Sequence, residues 1–208
     1  MIPLRARWLL PAAACAALAG FWVAHELDRD SPQLASGTWL PQPKVLPSFT
    51  LTDTTGGAFT PRELSGAPTL LFFGFTHCPD VCPTTLLKLA QIVRRAAVPG
   101  LRVVFVSVDP QRDTPAVLGM YVHAFDPQFQ GLTGAPAAIG RLAAALGVVM
   151  SRVELPGGDY TMDHSAVVFL LDDAGRVDAI FTPPFEVAAI TADLRRAAPW
   201  LRKARSGA

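Results

Sequence analysis

The sequence predicts an α/β domain, a mixed central sheet with flanking helices, standing behind an N-terminal apolar segment. Three observations carry this prediction. Residues 69–75 are a short, continuous apolar run, as expected of a central strand buried on both faces, and residues 101–108 read as a second, β-branched central strand. Between them Leu86, Leu89, Ala90, Val93 and Ala97 recur at helical spacing, which makes a strand–helix–strand unit and hence a parallel strand pair. After them come two helical segments, a hairpin and a final amphipathic helix.

The N-terminus opens with Arg5 and Arg7, followed by an uncharged run over residues 8–24 that mixed charges close at 25–30. This run is at the short end of the roughly 17–25 residues that span a bilayer. Its basic flank keeps the N-terminus cytoplasmic under the positive-inside tendency. A cleavable signal peptide is the rival reading, because Ala17-Leu18-Ala19 before Gly20 resembles a cleavage site. Trp8 and Trp22 suit the two membrane interfaces and favour a retained anchor over residues 1–24; a buried core helix is the bland alternative. Either leading reading exports the rest of the chain, so the expectation is a single-pass protein of the cytoplasmic (inner) membrane with its domain in the periplasm. Residues 25–46, broken by Ser31-Pro32, Ser36-Gly37 and Pro41-Gln42-Pro43, read as a linker.

The globular domain is expected over 47–203. Phe49-Thr50-Leu51-Thr52 alternates, Thr55-Gly56-Gly57 turns and Ala58-Phe59 returns, which signals a hairpin. Thr60-Pro61-Arg62-Glu63 has the form of a capping box. Past the second central strand, Asp113-Thr114-Pro115 opens a helix to about Phe125 and Ala135-Pro136 opens another ending at Gly147. Residues 148–153 form a weaker strand, and 166–171 with 176–181 flank the turn Asp172-Asp173-Ala174-Gly175. Val187, Ile190, Leu194, Ala197 and Leu201 mark the last helix. This order of elements is the thioredoxin plan.

Composition narrows the function. Half the residues are hydrophobic and 17% are charged, which supports a sizeable core. A net charge of +1 lacks the basic footprint of a nucleic-acid binder, so none is expected as partner. Of the cysteines, Cys15 lies in the apolar run and reads as a small hydrophobe, since Ala12-Ala13-Ala14 before it lacks the larger aliphatic residue of a lipoprotein site. Cys78 and Cys82 are then the close pair of the soluble part, too few for a disulfide scaffold and better read as a site.

That pair sits in Gly74-Phe75-Thr76-His77-Cys78-Pro79-Asp80-Val81-Cys82-Pro83, where a central strand hands over to a helix. Reactive groups in open α/β sheets gather at the carboxyl ends of strands. Pro83 suits a first helical turn, so Cys82 is expected where the helix dipole and unpaired N–H groups favour thiolate. Asp163-His164-Ser165 precedes the hairpin, and in a thioredoxin-like sheet that loop faces the cysteines. His164 then completes a Cys2His set, with Asp163 as a group that fixes the imidazole tautomer. Two thiolates and an imidazole suit Cu(I), and with a further weak ligand Cu(II); zinc fits less well, as structural zinc sites take four protein ligands.

Other readings of the same residues are a plain disulfide or a metal-free redox-active dithiol at Cys78 and Cys82, and an ordinary hydrogen-bonded histidine at His164. His77 is expected to diverge from its neighbour Cys78, and His123 to be a packing or solvent residue. Asp109 reads equally as a turn residue or a support of the site. Met120, Met150 and Met162 read as core filler.

Four segments together resemble the SCO/SenC family. They are the Cys78–Cys82 motif quoted above, Ser107-Val108-Asp109-Pro110-Gln111-Arg112-Asp113-Thr114-Pro115, Tyr160-Thr161-Met162-Asp163-His164-Ser165, and the N-terminal anchor. The resemblance implies copper held by Cys78, Cys82 and His164 and delivered to the CuA domain of cytochrome c oxidase subunit II during assembly. A periplasmic thiol–disulfide oxidoreductase that reduces the CuA-site cysteines is the alternative. Other periplasmic copper carriers or thiol reductases are further expected partners. The C-x3-C spacing argues against a general thioredoxin, which uses C-x-x-C. A peroxidase would need an Arg in the cysteine loop, and none is there.

Overall fold

The structure, a computed structural model, describes Cys15, Leu18, Gly20, Trp22 and residues 31–202. The chain divides into two compact units, residues 1–32 and 33–208. In the first, Cys15, Leu18, Gly20 and Trp22 are helical and exposed. The rest of the expected anchor lies outside the described residues, among which no helix is long and apolar enough to cross a membrane.

In the second unit the order is β1 (Gly37–Lys44), β2 (Leu51–Asp53), β3 (Ala58–Phe59), a 3-10 turn (Pro61–Leu64), β4 (Thr69–Gly74), α1 (Val81–Ala96) and β5 (Arg102–Ser107). Then come α2 (Pro115–His123), β6 (Gln130–Thr133), α3 (Pro136–Leu146), β7 (Met150–Glu154), β8 (Tyr160–His164), β9 (Val168–Leu171), β10 (Val177–Phe181) and α4 (Val187–Ala197). Eight strands form one mixed sheet in the order β1-β10-β9-β4-β5-β6-β2-β3. β4 runs parallel to β5, and β5 to β6, while β9 lies antiparallel on the other side of β4. This is the expected α/β fold with its parallel strand–helix–strand centre.

β4 is buried at every position, which is why its six residues read as an unbroken apolar run. Phe72, Phe73, Phe105, Phe169 and Phe181 are among the largest fully buried side chains, so the core lies on the central strands. The amphipathic helices α1 and α4 pack on each other, tied by Arg195 Nη2 donating to the Arg95 carbonyl (2.6 Å). Thr60 forms the expected capping box with Glu63, whose carboxylate accepts from the Thr60 N–H at 2.6 Å.

Three strands depart from the sequence reading. β1 lies within the stretch read as a linker and pairs antiparallel with β10 at the sheet edge. Its prolines Pro41 and Pro43 are tolerated there, and the register shifts between Trp39 and Lys44. Gly37 leaves room for the Phe181 ring, which a Cβ would meet at 2.5 Å. The chain before β1 is fastened by buried Asp193 of α4, which accepts from the N–H groups of Ala35 (2.8 Å) and Ser36 (2.7 Å) and from the Ser36 hydroxyl (2.7 Å). β6 is short and half polar, and pairing with β5 makes it a strand. β8, read as the loop before the hairpin, pairs with β7 in a separate two-stranded sheet.

Candidate metal centre

The site is built where β4 ends. The Gly74 carbonyl accepts from the Val108 N–H (2.8 Å), and the Phe75 carbonyl from the Cys78 N–H (3.3 Å), so the backbone turns sharply after the strand. Buried Asp113 holds this turn from the β5 side. It accepts from the Thr76 N–H (3.1 Å), the Thr76 hydroxyl (2.6 Å) and the Ser107 hydroxyl (2.6 Å).

Cys82 falls in the first turn of α1, as expected, and its N–H donates to Cys78 Sγ (3.4 Å). One of the helix's unpaired first-turn donors is thereby met by sulfur, since Asp80 at the cap makes no side-chain capping bond. The sulfur over the helix terminus is therefore that of Cys78, which is half-buried, whereas Cys82 is fully buried. This corrects the expectation of a favoured thiolate at Cys82. Burial pushes the Cys82 thiol well above its ordinary range, and the Phe75 backbone bond that opposes it does not compensate.

His164 ends β8 and brings its Nε2 to 3.4 Å from Cys82 Sγ. Its Nδ1 lies 3.2 Å from the Ser165 carbonyl. A carbonyl only accepts, so Nδ1 carries the hydrogen and the Nε2 lone pair faces the sulfur. The expected tautomer-fixing role thus falls to the Ser165 carbonyl rather than to Asp163, whose side chain is exposed. Burial lowers the His164 pKa below its ordinary value and keeps the ring neutral near pH 7. Phe72 and Phe75 meet the imidazole edge-on, with centroids at 6.1 Å and 6.0 Å.

The three side chains named from the sequence converge: one donor atom each from Cys78, Cys82 and His164 lie within 4.8 Å of one another. Both thiols are free. Cys78 and His164 line a surface pocket of about 270 Å³ with Phe75, Pro79 and Met162 among its walls, and Cys82 lies buried behind it. Met162 packs against the core, as expected, and also lines the pocket; its place two residues before His164 on one strand face was the sequence signal for the second role. His77 is exposed with Nδ1 3.1 Å from the Thr76 hydroxyl and stands outside the cluster, and His123 is exposed at the end of α2. Asp109 proves a support: buried, it accepts from the Tyr160 hydroxyl (2.8 Å) and pairs with Arg112. Neither Tyr160 nor Arg112 stood out as a site residue in the sequence.

Among known proteins, residues 39–199 match the SCO1/SenC family. The chain is 35% identical over 200 residues to the Bos taurus mitochondrial SCO2 homolog, covering 93% of this chain and 75% of that one. The copper-bound structure of Bradyrhizobium japonicum ScoI is similar at 42% identity and TM-score 0.66, covering 73% of this chain and 98% of that one. Copper-bound Arabidopsis thaliana ScoI is similar at 33% identity and TM-score 0.69, covering 78% and 99%. The matched span takes in both cysteines and the histidine, and this chain belongs to the SCO1/SenC family.

Proposed function

We propose that the chain is a copper metallochaperone: Cys78, Cys82 and His164 take up one copper ion and pass it to the CuA domain of cytochrome c oxidase subunit II during assembly. The observation that carries this is the meeting of two sulfurs and one imidazole nitrogen, from segments more than eighty residues apart, within 4.8 Å at a surface pocket. The donor set fits the ion. Two soft thiolates and one borderline imidazole match Cu(I) in three-fold coordination, and one further weak ligand would accommodate Cu(II). The thiol protons must leave as the metal enters, so loading releases protons. His164 needs no such loss, because its Nε2 already offers a lone pair.

The difference in burial between the sulfurs orders the handover. Cys78, reachable from the pocket, is the ligand that an incoming cysteine of the partner displaces first. Buried Cys82 lets go last, so the ion is shared between the two proteins rather than released to water. Residues 1–24 act as an inner-membrane anchor that keeps the domain in the periplasm near its membrane-bound client.

The test is an anaerobic copper titration of the reduced protein beside His164→Ala. One tight equivalent, with sulfur-to-copper charge-transfer bands for Cu(II) that change in the variant, is expected. Binding indifferent to His164, or none, would defeat the proposal.

The two free thiols favour one second reading, a thiol–disulfide oxidoreductase. Cys78 and Cys82 would lose two protons and two electrons to form their own disulfide, while the disulfide of the CuA cysteines is reduced to two thiols. Full function of His164→Ala in vivo, with loss in either Cys→Ser variant, would select this reading over the carrier.

A further inference from the structure

His164 hangs on a strand that the main sheet does not hold. β8 pairs only with β7, and a two-stranded hairpin is at best marginally stable on its own. Neither strand contributes a fully buried side chain, and only Met150 and Met162 pack, partly buried, against the core. Its charged and hydrogen-bonded joint to the rest of the fold lies at its far end. Tyr160, four residues before His164 and so on the same strand face, sends its hydroxyl to Asp109 (2.8 Å). Its carbonyl accepts from Arg112 Nη1 (2.9 Å), and Arg112 in turn pairs with Asp109 through Nε. The Tyr160 ring lies between two guanidinium groups, with Arg112 and Arg152 each 3.7 Å from its centroid. Asp109 and Arg112 belong to the segment after β5, so this joint ties the hairpin to the carboxyl edge of the sheet that also carries Cys78 and Cys82.

We infer that Tyr160, Asp109 and Arg112 form a latch that positions His164 against the two cysteines, making them positioning residues for the third metal ligand. The inference rests on the carrier reading above. The near end of the hairpin is held by less: Ser165 donates its N–H to the Val149 carbonyl (2.9 Å), and its hydroxyl accepts from the Val149 N–H (3.1 Å). These two bonds join the hairpin to itself; towards the sheet the near end has only the edge-on contacts of His164 with Phe72 and Phe75 and the packing of Met150 and Met162, so the polar tie that sets the hairpin's angle is the Tyr160 joint. The joint is not fully satisfied when closed, since Arg112 Nη2 is buried without a partner. Opening would let water reach that donor, which offsets part of the cost of the bonds lost. A latch of this kind holds His164 in place for storage and lets it swing away for transfer, leaving the metal on two sulfurs.

A double-mutant cycle on the full chain in detergent tests this. Cu(I) affinity is measured anaerobically by competition with a chromogenic chelator, and Cu(II) charge-transfer bands are recorded in parallel. Tyr160→Phe removes one hydroxyl and keeps the ring between its guanidiniums. It is expected to weaken Cu(I) binding about tenfold and to move the Cu(II) spectrum towards that of His164→Ala. In the His164→Ala background the same substitution is expected to change nothing. Asp109→Ala, which opens the joint from the β5 side, should show the same disappearance. Equal losses in both backgrounds, or no loss from Tyr160→Phe, would overturn the latch while leaving the carrier intact. Wild-type protein that binds no copper would instead defeat the carrier reading and the latch with it.

Discussion

Gly74 closes β4 at a point where the backbone has no room for a side chain. A Cβ there would lie 2.8 Å from Cys82 Sγ, 2.7 Å from Phe105 Cε2 and 2.9 Å from Phe105 Cζ. Ordinary contact between such atoms is about 3.5–4.0 Å, so Gly74→Ala demands a shift of roughly 1 Å from groups that are both fully buried. Overpacking of a tight core costs about 1–3 kcal/mol. With neither neighbour free to swing away, the upper half of that range applies. For a chain of this size each kcal/mol lowers Tm by about 2–4 °C, and a fall of about 5–10 °C is expected by calorimetry of the metal-free protein. The same displacement moves Cys82 Sγ relative to His164 Nε2, now 3.4 Å away, and should weaken Cu(I) binding about tenfold or more. Placing Gly74→Ala in a Cys82→Ala background removes the sulfur from the clash, so the added loss of stability there should be smaller by about 1 kcal/mol. An unchanged Tm and unchanged affinity in the single variant would refute the reasoning. Equal costs in the two backgrounds would assign the strain to Phe105 and not to the sulfur.

Other perturbations reach different parts of the same chain. Asp193→Ala strips the acceptor from Ala35 and Ser36; a loss of about 2–4 kcal/mol in denaturant melts is expected, with amide exchange fastest in β1. Burial pushes the Asp193 carboxyl up, but the Ala35 and Ser36 bonds outweigh it and leave its pKa lowered. Its contribution is therefore present above the unfolded carboxylate value and is lost as pH falls through the folded one. Asp178 behaves oppositely, its pKa pushed up to about 7 by burial and then by the neighbouring Asp172. The folded state binds the extra proton between the unfolded value of 3.8 and about 7, so stability falls as pH rises through that window. Asp178→Asn should accordingly stabilise by about 1–2 kcal/mol at pH 8, after discounting for solvent screening, and by little at pH 4; a gain that does not depend on pH would contradict this. Asp113→Ala leaves the Thr76 and Ser107 donors without their acceptor and should cost about 2–4 kcal/mol by thermal melt, with faster alkylation of Cys78 as the turn loosens.

Much of this architecture is legible in the residues taken in order. β4 announces itself as a continuous apolar run, β5 as a β-branched one, α1 and α4 as amphipathic stripes, and the Thr60 turn as a capping box. Each signal is local, a matter of what neighbouring side chains do to one backbone. The Cys78-x3-Cys82 pair at a strand end is local in the same sense, and so is the identity of His164 as a soft-site nitrogen donor. What only the tertiary structure decides is non-local. β1 carries two prolines, and β10 alone makes it a strand; β6 owes its place to β5; β8 leaves the main sheet for β7. The Cys82 proton is held by desolvation, a sum over groups that the fold packs around the sulfur, which outweighs the helix terminus that the sequence places beside it. The His164 tautomer depends on which oxygen the backbone presents, and the nearest was a carbonyl next in the chain rather than the carboxylate before it. Sequence spacing thus determines which groups arrive at the site. Which proton each one keeps, and how firmly it is held, follows from burial and from partners that meet only when the chain is folded.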